Sequence, residues 1–154
     1  MKRRHFICSA VGFSAASLTP LLALATGSGE TMVIYKDPNC GCCHLWSEAM
    51  KQAGFKTEIH DTDDVAAVKK RLGVPEGVRG CHTATVSGYF VEGHVPLAAV
   101  RELLMDPHEI AGLAVPGMPS GSLGMGDDPQ ASYDVYSVGK DGRVTVTLQV
   151  RPKT

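Results

Sequence analysis

The chain has 154 residues, a formal net charge of −1, 44% hydrophobic residues and 6% aromatic residues. This length suits a single domain behind a short leader, and the hydrophobic content suits an ordinary core rather than a bundle of membrane helices. The near-neutral charge argues against nucleic acid as a partner, because phosphate binding needs a basic face.

Residues 1–25 have the pattern of a cleaved export signal. Basic residues at positions 2–4 precede an uncharged apolar stretch, and Ala23-Leu24-Ala25 matches a small-residue cleavage site. The adjacent arginines also resemble a twin-arginine export motif. Cleavage would leave one exported domain, residues 26–154, with 12 basic and 16 acidic residues and no membrane anchor.

The first predicted elements are a strand, a helix, a strand and a helix. Residues 31–36 form an apolar run typical of a strand, and turn residues follow it. Residues 44–53 have helical periodicity, with an apolar face that includes Leu45. A second strand at residues 56–60 precedes an Asp-capped helix over residues 65–72.

The second half of the predicted order is a hairpin followed by a helix. Residues 83–86 and 89–91 flank Ser87-Gly88, and residues 97–104 carry an apolar helical face. The complete order, β-α-β-α-β-β-α, is that of a thioredoxin-like α/β fold. In this fold a βαβ unit gives a parallel strand pair, and a hairpin with a last helix follows it.

Beyond this core, the sequence predicts a C-terminal loop and an added β-hairpin. Residues 112–131 are rich in Gly and Pro and contain Met118 and Met125. Residues 133–138 and 144–150 flank a Gly-Lys-Asp-Gly turn. Because a hairpin of this size does not fold alone, we interpret it as part of the same domain.

Three cysteines, Cys40, Cys42 and Cys43, lie where the first strand meets the first helix. Free N–H groups and the helix dipole stabilise a thiolate there, the form that attacks disulfides and binds metals. Cys40 and Cys43 have the C-x-x-C spacing of a redox pair, so they are the candidate catalytic residues if the site is redox-active. A dithiol redox pair uses two thiols, one to attack and one to resolve, so it does not need Cys42. This third cysteine favours a soft metal, above all Cu(I), over tetrahedral zinc or an iron–sulfur cluster.

Cys81 is the fourth cysteine of the predicted exported chain. The thioredoxin-like order places its segment beside the first strand–helix corner, where it would add a fourth thiol. The alternative interpretation is an isolated cysteine in the core.

Imidazole and thioether groups are further copper ligands, which makes His82, His44, Met118 and Met125 secondary candidates. His82 is favoured by its position next to a site cysteine. His44 is equally compatible with a solvated helix turn, and the two methionines with a cap on the hydrophobic core. His94 is interpreted as a surface histidine.

Several motifs together resemble a bacterial family of exported CxCC metal-binding proteins, once described only as a domain of unknown function. This family includes CopG-type copper-resistance proteins. The motifs lie within residues 31–126 and include YKDPNCGCC (35–43), CHT (81–83), EGHVP (92–96) and GMPSGS (117–122). The resemblance implies a thioredoxin-like fold that binds copper, with Cys40, Cys42, Cys43 and Cys81 as ligands. It also implies a role in periplasmic copper resistance, with a multinuclear Cu(I) site, redox activity toward copper, and other periplasmic copper-handling proteins as partners.

Two other functions stay open on the sequence alone. The C-x-x-C pair is compatible with a thiol–disulfide oxidoreductase of the thioredoxin type, and four cysteines are compatible with a disulfide-stabilised binding module. If the protein is an enzyme, the cysteines make it a copper or thiol oxidoreductase.

Overall fold

The computed structural model describes residues 29–106 and 109–152, so the predicted export signal lies outside the described residues. Within them, seven strands and three α-helices form a mixed α/β structure, which confirms the predicted class. The strands are β1 (Thr31–Lys36), β2 (Lys56–Asp61), β3 (Thr83–Val86), β4 (Tyr89–Glu92), β5 (Ile110–Ala114), β6 (Tyr133–Gly139) and β7 (Val144–Val150). The helices are α1 (Gly41–Gln52), α2 (Val65–Arg71) and α3 (Leu97–Met105).

All seven strands belong to one sheet, in the order β2-β1-β3-β4-β5-β6-β7. β1 pairs with β2 in parallel through a connection that contains α1, and β4 pairs with β5 in parallel through α3. The other neighbours are antiparallel. The predicted β3–β4 hairpin is confirmed, and Ser87 and Gly88 both adopt the positive φ that its two-residue turn requires. None of the described helices is long and apolar enough to cross a lipid bilayer.

Hydrophobic clusters lie on both faces of the sheet. The larger one joins α1 and α3 to the strands and includes Ile34, Trp46, Met50, Val91 and Val100. The smaller one, on the opposite face, contains Val74, Val78, Phe90, Ala114 and Val138. Full burial of such a side chain stabilises the fold by about 1.5–3 kcal/mol. This core holds the end of β1 and the start of α1, where the cysteines lie.

Helix α1 starts at Gly41 rather than at the predicted residue 44, so Cys40 is its N-cap. Its buried face includes Cys43, Trp46, Ser47 and Met50, the i, i+3, i+4, i+7 spacing of an amphipathic helix. Leu45 lies off this face and is 58% exposed, so its predicted burial is wrong.

Strand β5 corrects the predicted loop at residues 112–131, because the first three of those residues belong to this strand. Its sequence, IAGLA, has few β-branched residues and therefore carries little strand signal. Pairing with β4 on one side and β6 on the other stabilises it. Gly112 is needed there because a side chain would collide with Phe90.

Strands β6 and β7 lie in the two segments that the sequence assigns to a hairpin, and they pair antiparallel at one edge of the sheet. β7 is the edge strand, and Val144, Val146 and Leu148 are each partly exposed. The thioredoxin-like assignment, and the status of β6 and β7 as an addition to that fold, stay predictions.

Candidate metal centre

The site begins where β1 ends and the chain turns into α1. The Asp37 carbonyl accepts the N–H of Cys40 at 3.1 Å, and the Asp37 carboxylate accepts the N–H of Asn39 at 2.7 Å. Cys40 caps α1 without a side-chain hydrogen bond, and no acidic residue lies in the first helical turn. The free N–H groups and positive dipole of this helix end are therefore available to stabilise thiolates.

Four cysteine sulfurs lie together at this corner. The Sγ atoms of Cys40, Cys42, Cys43 and Cys81 are all within 4.8 Å of one another. Cys40 and Cys43 form a disulfide, whereas Cys42 and Cys81 are free thiols. Cys42 Sγ is 3.4 Å from Cys40 Sγ, and Cys81 Sγ is 3.3 Å from Cys43 Sγ. The structure thus brings together the four residues that the sequence singles out as metal ligands.

Cys81 reaches the site on the loop before β3. Gly80 forms an isolated parallel bridge with Gly117, and the Gly117 N–H donates to the carbonyl of Arg79 at 2.9 Å. A Cβ atom at Gly80 would lie 2.6 Å from the Cα of Gly93, so glycine is required for this close backbone approach. These contacts place Cys81 beside Cys43, although 38 positions separate them in sequence.

His94 also belongs to the site, and its predicted surface location is wrong. The side chain is fully buried, and its Nε2 lies 3.0 Å from Cys81 Sγ. Its Nδ1 lies 2.7 Å from the Leu123 carbonyl oxygen. Because a carbonyl only accepts, Nδ1 carries the proton and Nε2 presents a lone pair toward Cys81. Burial lowers the pKa of His94, against the Leu123 hydrogen bond that raises it, so the imidazole is neutral at pH 7.

The sequence did contain one signal for His94, namely the register of the predicted hairpin. Thr83 lies opposite Glu92 in the β3–β4 pair. Extending that register by two residues brings positions 81 and 94 side by side.

His82 is buried between the cysteines and the core. Its Nδ1 lies 3.4 Å from Cys81 Sγ, and its ring packs 4.5 Å from the Trp46 ring, centroid to centroid. Its Nε2 has no hydrogen-bond partner among the described residues. Burial, followed by the charges of His94 and Lys69, holds the pKa of His82 well below its ordinary value. Cys81, His82 and His94 form a second group able to hold a metal ion, and it shares Cys81 with the four sulfurs.

The surroundings of Cys81 change the pKa of its thiol strongly. Burial raises its pKa to about 12, and the charge and hydrogen bond of Cys42 add to the effect. In the metal-free protein Cys81 is therefore a neutral thiol whose S–H can donate to His94 Nε2. A cation bound here has to displace that proton, because the thiolate is the ligand form.

The other three secondary candidates differ in exposure and in what their segments contact. His44 is exposed on α1 and belongs to neither ligand group. Met118 follows Gly117 and is 55% exposed. Met125 is half-buried next to Gly124, whose added Cβ would lie 2.8 Å from the Cys42 carbonyl oxygen. The segment with Met125 therefore packs on the first turn of α1.

The donor set of four sulfurs and two imidazoles is soft, which suits copper far better than calcium or magnesium. The Cys40–Cys43 disulfide at a helix N-terminus is also the arrangement of a dithiol redox pair. Fold and site together define a mixed α/β protein with a thiol-rich candidate metal site.

Comparisons with known proteins agree with this class. Two solved structures, titled as forms 2 and 1 of copper resistance protein CopG, are 39% and 40% identical to this chain and superpose with a TM-score of 0.74 each. They match 79% and 80% of this chain and 98% of their own lengths. The chain therefore belongs to the CopG-type copper-resistance family. A family model described as a protein of unknown function, DUF411, matches residues 78–125, and no curated protein sequence matches.

Proposed function

We propose that this chain binds Cu(I) through Cys40, Cys42, Cys43 and Cys81 and acts in periplasmic copper resistance. The observation that carries the proposal is the convergence of these four sulfurs within 4.8 Å of one another. In the reduced protein all four are thiols that can bind Cu(I) as thiolates once the ion displaces their protons. Thiolates this close together can bridge metal ions, which favours a multinuclear Cu(I) site over a single ion.

Imidazoles extend the donor set on one side of the sulfurs. His94 Nε2 and His82 Nδ1 lie 3.0 and 3.4 Å from Cys81 Sγ, so they can share an ion with that cysteine. Met125 is the better placed of the two loop methionines, because its segment packs on α1. His44 and Met118 are weaker candidate ligands, because both side chains are exposed.

The disulfide makes copper binding depend on the redox state of the protein. With Cys40 bonded to Cys43, two of the four cysteines in the cluster, Cys42 and Cys81, remain as thiols. Two electrons from a dithiol reductant convert the disulfide into two thiols and complete the donor set. In the reverse direction, two thiolates that join into the disulfide release two electrons, which reduce two Cu(II) ions to Cu(I).

The fold proposed for this activity is thioredoxin-like. Support comes from the β1-α1-β2 unit, the β3–β4 hairpin with α3, and the cysteines at the first strand–helix corner. Residues 1–25 would serve as a cleaved export signal, and residues 26–154 would form the periplasmic domain. Its partners would be copper ions and other copper-handling proteins of that compartment.

The test is an anaerobic titration of the fully reduced protein with Cu(I), in competition with a chromophoric chelator. We expect more than one ion per chain, and fewer in Cys42→Ser and Cys81→Ser, because each variant removes one bridging sulfur. The oxidised protein should also bind fewer ions. Met105→Leu is the matched control, because it removes an exposed sulfur at the end of α3. Failure of the reduced chain to bind Cu(I) would overturn the proposal.

Thiol–disulfide exchange is a second candidate, favoured by the Cys40–Cys43 disulfide at the start of α1. The Cys40 thiolate would attack a substrate disulfide, and Cys43 would resolve the mixed disulfide, leaving two substrate thiols. Reduction of a disulfide substrate should then survive Cys42→Ser and stop with Cys40→Ser. Equal turnover by both variants would argue against it. A purely structural disulfide module has less support, because Cys42 and Cys81 are free thiols.

A further inference from the structure

A buried ion pair lies directly behind the Cys81 loop. Lys69 of α2 is 6% exposed and Glu92 of β4 is fully buried, and Lys69 Nζ lies 2.5 Å from Glu92 Oε1. Lys69 also donates to the Thr83 hydroxyl at 3.0 Å. That hydroxyl in turn donates to Glu92 Oε2 at 2.6 Å. Both charges are therefore compensated inside the protein.

The same carboxylate holds the backbone of the metal centre. The N–H of Gly80, the residue before Cys81, donates to Glu92 Oε1 at 2.6 Å. Thr83, whose hydroxyl donates to Glu92 Oε2, directly follows His82. Glu92 thus fixes the chain on both sides of Cys81 and His82. A backbone hydrogen bond from the Gly93 N–H to the His82 carbonyl, 2.9 Å long, completes the anchoring.

Stability alone is a weak reason for an ion pair at this position. Removing two charges from water offsets much of their attraction, and well-packed apolar residues often serve a core as well or better. An apolar residue at position 92 could not accept hydrogen bonds from Gly80 and Thr83. Those two bonds are the specific contribution of the carboxylate, and both act on the segment that carries Cys81.

We propose that Glu92, neutralised by Lys69, is a positioning residue that holds Cys81 beside the CxCC cysteines and His82 beside Cys81. This inference rests on the proposed copper-binding function and adds to it two residues outside the ligand set. Cys81 is the one cysteine of the cluster that does not come from the β1–α1 corner, so its distance to the others depends on this loop.

The test uses variants that remove the anchors without leaving a buried charge unpaired. Lys69→Met combined with Glu92→Leu removes both charges, and Thr83→Val removes one anchor while the ion pair remains. Both should weaken Cu(I) binding by about tenfold or more, the usual effect of losing groups that orient metal ligands. Both should also speed the alkylation of Cys81 in the metal-free, reduced protein, measured by peptide mass. Thr83→Ser keeps the hydroxyl, so its Cu(I) affinity and its Cys81 alkylation rate should equal those of the wild-type protein.

The control is Asp134→Asn, which removes the charge in β6 that pairs with Arg151, the residue after β7. It should change neither readout, and thermal unfolding of each metal-free variant reports whether the fold is intact. If the double variant does not fold, the Cu(I) affinities and Cys81 alkylation rates of Thr83→Val and Thr83→Ser decide whether the anchor positions Cys81. Wild-type values of both readouts in the folded variants would overturn the positioning role. If the wild-type protein binds no Cu(I), the proposed function fails, whereas the alkylation rates still decide the role of Glu92.

Discussion

At the site, the chemistry of each ligand candidate depends on one or two neighbouring groups. The Leu123 carbonyl holds the proton of His94 on Nδ1, which leaves Nε2 free to face Cys81. Burial and the nearby Cys42 keep Cys81 protonated in the metal-free protein. Changes to single side chains here should therefore alter metal binding far more than they alter the fold.

Replacing His94 with glutamine tests this directly. We expect His94→Gln to weaken Cu(I) binding at least about tenfold, the effect typical of losing even an outer-shell partner of a metal site. His44→Gln is the matched control, since His44 is exposed and lies outside both ligand groups. Chelator competition measures both variants, and equal affinities would contradict a role for His94.

At the scale of elements, the loop after β5 brings a third segment to the site. Leu123 supplies the carbonyl for His94, and Gly124 lies against the first turn of α1. Gly124 has a φ of +88°, and an added Cβ would lie 2.8 Å from the Cys42 carbonyl oxygen and 2.9 Å from the Trp46 nitrogen. Only glycine permits both the backbone conformation and the approach.

A comparison of two glycines in this loop separates these effects. Gly124→Ala should lower the free energy of unfolding by about 1–3 kcal/mol, because backbone strain and a steric clash act together. Gly126→Ala is the control, since Gly126 has a φ of +83° but open space around its Cβ position. It should be less destabilised, and urea unfolding of the reduced, metal-free proteins measures both. Equal losses would show that the contact with α1 adds nothing to the backbone strain.

Across the whole molecule, the direction of the strands explains why distant residues meet. β1 runs antiparallel to β3, with Tyr35 opposite Thr83, so the end of β1 and the start of β3 lie at the same end of the sheet. β4 and β5 also finish there, with Glu92 opposite Ala114. The CxCC turn, the Cys81 loop, the His94 turn and the loop with Leu123 all leave the sheet at this end. Candidate metal ligands from three of these segments, and the Leu123 carbonyl that orients His94 from the fourth, can therefore meet at one centre.

Local patterns were sufficient to predict the elements whose signals lie within a few residues. Periodicity and turn residues predicted α1, α2, α3 and the β3–β4 hairpin, because a helix face or a tight turn depends on near neighbours. Strand β5 was missed for the converse reason. Its stability comes from β4 and β6, and its own residues have little preference for a strand.

The sequence by itself determined that soft ligands cluster at a strand–helix corner, since Cys40, Cys42 and Cys43 are neighbours in the chain. It also predicted that Cys81 joins them, and the structure brings that sulfur to the corner. Only the tertiary structure decided that His94 joins the site, that Cys40 bonds to Cys43, and that a buried carboxylate holds the Cys81 loop. The physical reason is the separation along the chain over which each kind of contact acts. Spacing along the chain sets which groups share one helix turn, whereas pairing between strands sets which loops meet at the end of the sheet.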